Sequence, residues 1–413
     1  MTTLTMQDEK RIEIIQRVFR GELTVLKAAV ILGISERQCY RIKRRVHREG
    51  AKGVIHGNRG RPCGHKVKEK IVGRVVELAR GKYQGFNDHH LTEKLKEHEQ
   101  IDLSREKVRR ILRSCGISSP RKRRASKHRS RRERRLGEGM MLQVDGSPHD
   151  WLEGRGARLC LLGAIDDATG KVLGALFTQA ESSWGYLRLF SEIFKGHGVA
   201  QSIYSDRHSV FWTDREPTLD EQFINKRPLT EVGRALDELG VTLIFAGSPQ
   251  AKGRIERLWG TFQDRLVSEL RLAKAKTAAQ AQAVLDRYLP EHNRRFSKPA
   301  QEPAWRKTHS GLLDQALCFK QQRTVANDNT VTFDGVIFQI PKKSPHRSYA
   351  NKRIDVQVGL DGAVEFFYKT EKIAAFDSKT THALGLYQTQ KKREGFRYGP
   401  ISNQSTEYQQ LSP

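Results

Sequence analysis

One block divides this chain. Residues 121–135, RKRRASKHRSRRERR, hold ten lysines and arginines against one glutamate. Such a stretch has nothing to bury, and only a polyanion would order it. Sequence grammar differs on its two sides. Upstream, apolar residues recur at helical spacing; downstream, short apolar runs alternate with turn residues and read as strands. A chain of 413 residues cut in this way is expected to be multidomain. The excess charge is general, with 74 Lys and Arg against 47 Asp and Glu, or +27. Nucleic acid is the expected partner for such a surface. The five cysteines, at 39, 63, 115, 160 and 318, form no C-x-x-C pair, which argues against a disulfide framework or a zinc knuckle. No signal-peptide pattern or bilayer-length apolar run is visible, so the reading is cytoplasmic, with no membrane partner.

Residues 1–50 read as three helices. Ile12, Ile15, Val18 and Phe19 share one face, and Leu26, Ala29 and Val30 another. After the turn Leu32-Gly33-Ile34, Ser35 and Gln38 form a capping-box start. The third helix buries Ile42 and Val46 and turns Arg37, Gln38, Tyr40, Arg41, Lys43 and Arg44 outward, as a helix-turn-helix presents its recognition helix. Residues 51–65, with Gly53, Gly57, Gly60, Pro62 and Gly64, read as a linker. Residues 66–117 repeat the three-helix theme, the last helix exposing Arg105, Lys107 and Arg109. Residues 118–138 form a basic linker in which Arg121, Lys122, Arg123 and Arg124 are candidate DNA contacts.

Residues 139–298 predict a mixed-sheet α/β core: a three-strand meander, then alternating helix and strand, then two helices. Residues 325–380 predict a small β-barrel, and 381–413 a disordered tail. Within the core, Asp145 and Asp206 close apolar strands, and Glu256 opens a helix. Three hard carboxylates delivered by separate elements suit two Mg²⁺ ions, and Mn²⁺ is expected to substitute. Asp166 and Asp167 read as turn residues, and the acids Asp214, Glu216, Asp220 and Glu221 lie where no strand delivers them. Lys252 and Arg254 beside Glu256 are candidate phosphate contacts, while Arg265 and Glu269 suit a surface i,i+4 pair.

The pieces Gln143-Val144-Asp145-Gly146, Tyr204-Ser205-Asp206 and Ser248-Pro249-Gln250-Ala251-Lys252-Gly253-Arg254-Ile255-Glu256-Arg257 resemble the integrase core of bacterial insertion-sequence transposases, shared with retroviral integrases. That resemblance implies an RNase H-like catalytic core and three metal-ligating acids. It also implies cleavage at the ends of a mobile element and strand transfer into target DNA, with at least a dimer on double-stranded DNA. The 49 residues between Asp206 and Glu256 exceed the family's usual spacing, and 208–228 read as an inserted loop. Two other readings stand beside this one: a non-catalytic helix-turn-helix regulator with a degenerate core, and a cellular nuclease that cuts without joining.

Overall fold

The computed structural model describes residues 4–56, 58–59, 67–120, 133–223, 227–247, 252–342 and 348–383, without the side chains of 220 and 221. It divides between Val75 and Val76 into two compact units.

In the first unit, α1 (Met6–Phe19), α2 (Val25–Leu32) and α3 (Glu36–Glu49) enclose one small core. Gly33 ends α2 with φ of 64°, a left-handed turn that glycine adopts without cost, and Ser35 caps α3. The buried stripe of α2 differs from the expected one. Ala28 and Ala29 face inward, while Leu26 and Val30 are exposed. Small side chains let the three helices approach closely, while Val25 and Leu32 pack at the margin of the core. The expected linker also begins later than 51: Gly50–Val54 forms a 3-10 turn and Val54 joins the core.

Helix α4 (Glu69–Arg80) straddles the division. In the second unit, α5 (Asp88–Glu99) and α6 (Arg105–Ser114) precede the sheet. Strands β1 (Leu142–His149), β2 (Leu159–Asp166) and β3 (Val172–Thr178) form the antiparallel meander. Then follow α7 (Ser183–His197), β4 (Ser202–Ser205), the short α8 (Leu219–Phe223), α9 (Glu231–Glu238) and β5 (Thr242–Phe245). The five strands lie in the order β3-β2-β1-β4-β5, with β4 and β5 parallel to β1. Helices α10 (Gly253–Leu272) and α11 (Ala278–Phe296) cover one face, while α7, α9 and α12 (Ser310–Ala316) cover the other. The strand period of two sorts the side chains: Leu142, Val144 and Leu162 enter the α7 layer, and Leu159, Leu161 and Ile165 the α10 layer.

The C-terminal module closes no barrel among the described residues. Strands β6 (Phe319–Thr324), β9 (Arg353–Val358), β10 (Val364–Tyr368) and β11 (Glu371–Phe376) form an open sheet in the order β11-β10-β9-β6. The hairpin of β7 (Thr330–Phe333) and β8 (Val336–Gln339) is a separate two-stranded sheet, and Val331, Phe333 and Phe338 pack with Val356 and Phe366 in one core. Alternating strands fit this face-to-face packing as well as they fit a barrel, so sequence pattern does not separate the two. A last helix, α13, spans Ser378–Ala383.

Candidate active site

Strand β1 is apolar on one face and polar on the other. Gln143, Asp145 and Ser147 all point toward α10, and each meets a partner there or beside it. Asp145 does not end its strand, as the sequence suggests, since β1 runs on against β2 to His149. Pairing with β4, however, stops at Gln143–Tyr204. Two residues further on, at the same level, come Asp145 of β1 and Asp206, the first residue past the end of β4, whose strands run about 4.8 Å apart.

The two carboxylates share one cation. Lys252 Nζ donates to Asp145 Oδ1 at 2.7 Å and to Asp206 Oδ2 at 3.0 Å. Lys252 is only 5% exposed. Burial works against its charge, but the two carboxylates overcome that penalty and hold the ammonium above its ordinary range. On the other side of Asp145, Trp259 Nε1 donates to Oδ2 at 3.0 Å. Gln263 Nε2 reaches Ser147 Oγ at 3.4 Å. Lys252, Glu256, Trp259 and Gln263 are spaced by four, three and four residues, so they share one stripe of the α10 helix. Three members of that stripe touch β1. Glu256 is exposed. Among the described residues, no three His, Cys, Asp or Glu side chains cluster closely enough to hold an ion. Asp145 and Asp206 are thus brought together, with Glu256 on the stripe between two of their partners.

A fourth acid, which sequence reasoning missed, is near. Glu181 lies in the short link between β3 and α7 and accepts from the Tyr186 hydroxyl at 2.7 Å. It fits because Gly146 has no side chain; a Cβ there would stand 2.5 Å from Glu181 Oε2. Burial, with the charges of Asp145 and Asp206 adding to it, pushes its carboxyl above the usual range. No local motif marks it, because only the crossing of β3 into α7 carries it there.

Asp166 and Asp167 are more than turn residues, for both are fully buried. Asp166 accepts from the Gly139 and Thr169 amides and the Thr169 hydroxyl. Asp167 accepts from Gln143 Nε2 at 2.8 Å, from the Arg135 amide at 2.9 Å and from Arg254 Nη1 at 2.6 Å. Arg254 therefore meets a buried aspartate rather than standing free for phosphate. Lys252 is likewise turned inward. Arg265 is also redirected: it pairs with Glu93 at 2.7 Å, while Glu269 meets His90 and Lys94, so the surface i,i+4 pair does not form. The segment 208–228 is no bare loop. Val210 and Phe211 enter the α7 core, and α8 lies within it. Asp214 accepts from the Trp212 indole at 2.7 Å.

In the first unit, Arg37, Tyr40, Arg41, Lys43 and Arg44 line a concavity of about 730 Å³ with Phe19 and His47. Gln38 is exposed, its backbone amide donating to the Ser35 hydroxyl at 3.3 Å. On α6, Arg105, Lys107 and Arg109 are exposed; Arg105 contacts His89, and Arg109 pairs with Glu106 at 3.4 Å. Arg121, Lys122, Arg123 and Arg124 lie outside the described residues, as does Ser248-Pro249-Gln250-Ala251.

Residues 10–62 match the family model of a helix-turn-helix domain. Over 391 residues the chain is 32% identical to "Putative transposase y4bF" of Sinorhizobium fredii, covering 93% of this chain and 84% of that one. It is 30% identical over 328 residues to the transposase for insertion sequence IS1202 of Streptococcus pneumoniae, covering 70% and 69%. The chain belongs to the transposase family of bacterial insertion sequences. Solved structures similar to this transposase include the simian T-cell lymphotropic virus intasome with a PP2A regulatory subunit, at 13% identity and TM-score 0.33 over 74% of this chain and 97% of that one. The HTLV-2 integrase catalytic core with magnesium gives 15% identity and TM-score 0.26 over 36% and 84%. No helix among the described residues of the transposase is long and apolar enough to cross a membrane.

Proposed function

We propose that this transposase binds the terminal inverted repeats of its element, cuts a DNA strand at each end and joins the freed ends to target DNA. The observation that carries the reading is the shared lysine. One carboxylate on β1 and one just past the end of the parallel β4 converge closely enough to share a cation between them. The donors there are hard carboxylate oxygens, the type that Mg²⁺ and Mn²⁺ prefer, so the residues fit a divalent metal. Asp145, Asp206 and Glu256 would hold it, as two Mg²⁺ ions with Mn²⁺ able to substitute. Bound there, the metal supplies activation of the attacking oxygen and stabilisation of the departing one.

The chain's own residues then have definable tasks. Trp259 fixes one oxygen of Asp145 and so sets the carboxylate plane. Glu256, on the same helical stripe, completes the acid set. Helix α3 reads base edges through Arg37, Gln38, Tyr40, Arg41, Lys43 and Arg44, and α6 holds backbone through Arg105, Lys107 and Arg109. The basic segment with Arg121, Lys122, Arg123 and Arg124 adds sequence-independent grip. In the first step a water oxygen bonds to phosphorus and the 3′ oxygen leaves with a proton. In the second, that 3′ hydroxyl attacks a target phosphodiester and releases a new 3′ hydroxyl. Two ends must be held at once, so the working form contains at least two copies.

The deciding experiment uses labelled DNA ends taken from the flanks of the gene, with Mg²⁺, and compares wild type with Asp206→Asn. Wild type is expected to nick and join, and the variant to bind without cutting. Binding by both proteins with cutting by neither, in Mg²⁺ or Mn²⁺, would leave the non-catalytic regulator as the better account.

A further inference from the structure

Two of the cations near the acids, Lys252 and Arg254, are spent inside the protein. Lys252 is shared by Asp145 and Asp206, and Arg254 serves buried Asp167. The metal proposed above would meet the phosphodiester that is cut, but its neighbours along the strand also carry negative charge and call for cations outside the acid set.

Two guanidinium groups are available. Arg207, the residue after Asp206, holds its guanidinium carbon 4.7 Å from the centre of the Trp212 ring. Arg227 holds its own 3.3 Å from the same ring. Neither has an ion pair among the described residues. The nearby carboxylate of Asp214 takes the indole N–H instead. An aromatic platform differs from a carboxylate in one respect that matters here: it orients a guanidinium without neutralising it. Arg207 and Arg227 are therefore placed by the ring, with no carboxylate paired to either among the described residues.

The platform is itself fixed. Phe211, next in sequence, is buried against Tyr186 at 4.6 Å between ring centres. Trp212 stands edge-on to Phe245 of β5 at 4.8 Å. Beside it opens a cavity of about 460 Å³ at the β5 edge of the sheet, lined by Phe211, Trp212, Thr213, Arg227 and Phe245 among others, with Asp237 on its wall engaged elsewhere.

We propose that Arg207 and Arg227, stacked on Trp212, form a clamp for the DNA backbone beside Asp206. The ligands are two phosphodiesters adjoining the one that is cut, one to each guanidinium, so the clamp rests on the strand-cutting reading above. Guanidinium forks suit two phosphate oxygens each.

The test is the salt dependence of DNA binding, which counts phosphate contacts directly. Full-length protein is titrated with a labelled duplex of arbitrary sequence bearing a single-stranded 3′ end, in Ca²⁺. Each lost contact lowers the slope of log K against log salt by about 0.9 on duplex or about 0.7 on single strand. The double variant Arg207→Gln, Arg227→Gln is expected to lose about 1.4 to 1.8 from the slope. Lysines at both positions should restore the slope, since they keep the charge. Trp212→Ala, which keeps both charges but frees them, should give a loss smaller than the double variant. A double glutamine variant that melts as wild type and keeps the wild-type slope would overturn the clamp. Should that pair unfold, Arg207→Gln alone gives the same reading at half size. Failure of wild type to cut in Mg²⁺ would sink the strand-cutting reading without changing this slope, so the two failures are separable.

Discussion

Asp145 and Gly163 face each other across the β1–β2 ladder, and the indole of Trp259 occupies the space that Gly163 leaves. A Cβ at Gly163 would stand 2.6 Å from the ring. The hydrogen bond from Trp259 to Asp145 therefore depends on a missing side chain one strand away. Gly163→Ala should push the ring outward, costing about 1–3 kcal/mol of stability as an overpacked core does. It should also loosen Asp145. A urea melt beside an assay of DNA joining checks both effects: strand transfer should fall further than the loss of folded protein explains. Wild-type melting together with wild-type joining would show that the ring has room.

Lys252 and Arg254 predict opposite behaviours, although they lie two residues apart. Asp167 is fully buried, so Arg254→Gln removes a charge from a sealed site and should cost about 3 kcal/mol whether or not DNA is present. Asp145 and Asp206 retain 20% and 52% side-chain exposure, so Lys252→Met should cost less, about 1–2 kcal/mol. In that variant Mg²⁺ should raise the melting temperature more than it does in wild type, because two carboxylates are left without their cation. Equal responses to Mg²⁺ in both proteins would mean that divalent ions do not reach these acids.

His292 should tune stability in mild acid. It lies on the inner face of α11 against Phe262 of α10, with ring centres 4.9 Å apart, and burial lowers its pKa to about 4. Its Nδ1 has no hydrogen-bond partner among the described residues. The unfolded chain takes up this proton near pH 6.5 and the folded chain only near 4, so between those values the unfolded state binds more protons. Stability from this residue is full above the upper value and is lost as pH falls toward the lower one, by about 3 kcal/mol in all. His292→Phe should flatten that part of the profile, as read by urea melts followed through core tryptophan fluorescence at a series of pH values. An unchanged slope would place the acid sensitivity elsewhere.

Much of this was legible in residue order because the relevant signals are local. Strand and helix grammar sets out the mixed sheet, and apolar runs place Asp145 on one strand and Asp206 directly after another. What escaped was set by tertiary distance. Asp167 reads as a turn residue because Asp-Asp-Ala-Thr-Gly is turn chemistry; its burial comes from Arg135, Gln143 and Arg254, none of them its neighbours in sequence. Arg265 and Glu269 have the spacing of a surface pair, yet α5 supplies each with a stronger partner. The β-barrel expectation is not met among the described residues, since alternation marks strands but not how their sheets close.

Those partners from α5 have a mechanical meaning. Glu93 meets Arg265 of α10 and Arg295 of α11, Arg295 also meets Glu97 at 2.6 Å, and Glu269 meets His90 and Lys94. Arg113 of α6 is held in turn by Asp88 of α5 at 2.7 Å. Helices α5 and α6 are thus latched to α10, which bears Glu256, and to α11. DNA gripped by α6 would meet the acids at a fixed number of base pairs from the grip. The transposase would then measure its cut with a ruler made during folding, and the position of cleavage would be a property of protein geometry as much as of base sequence.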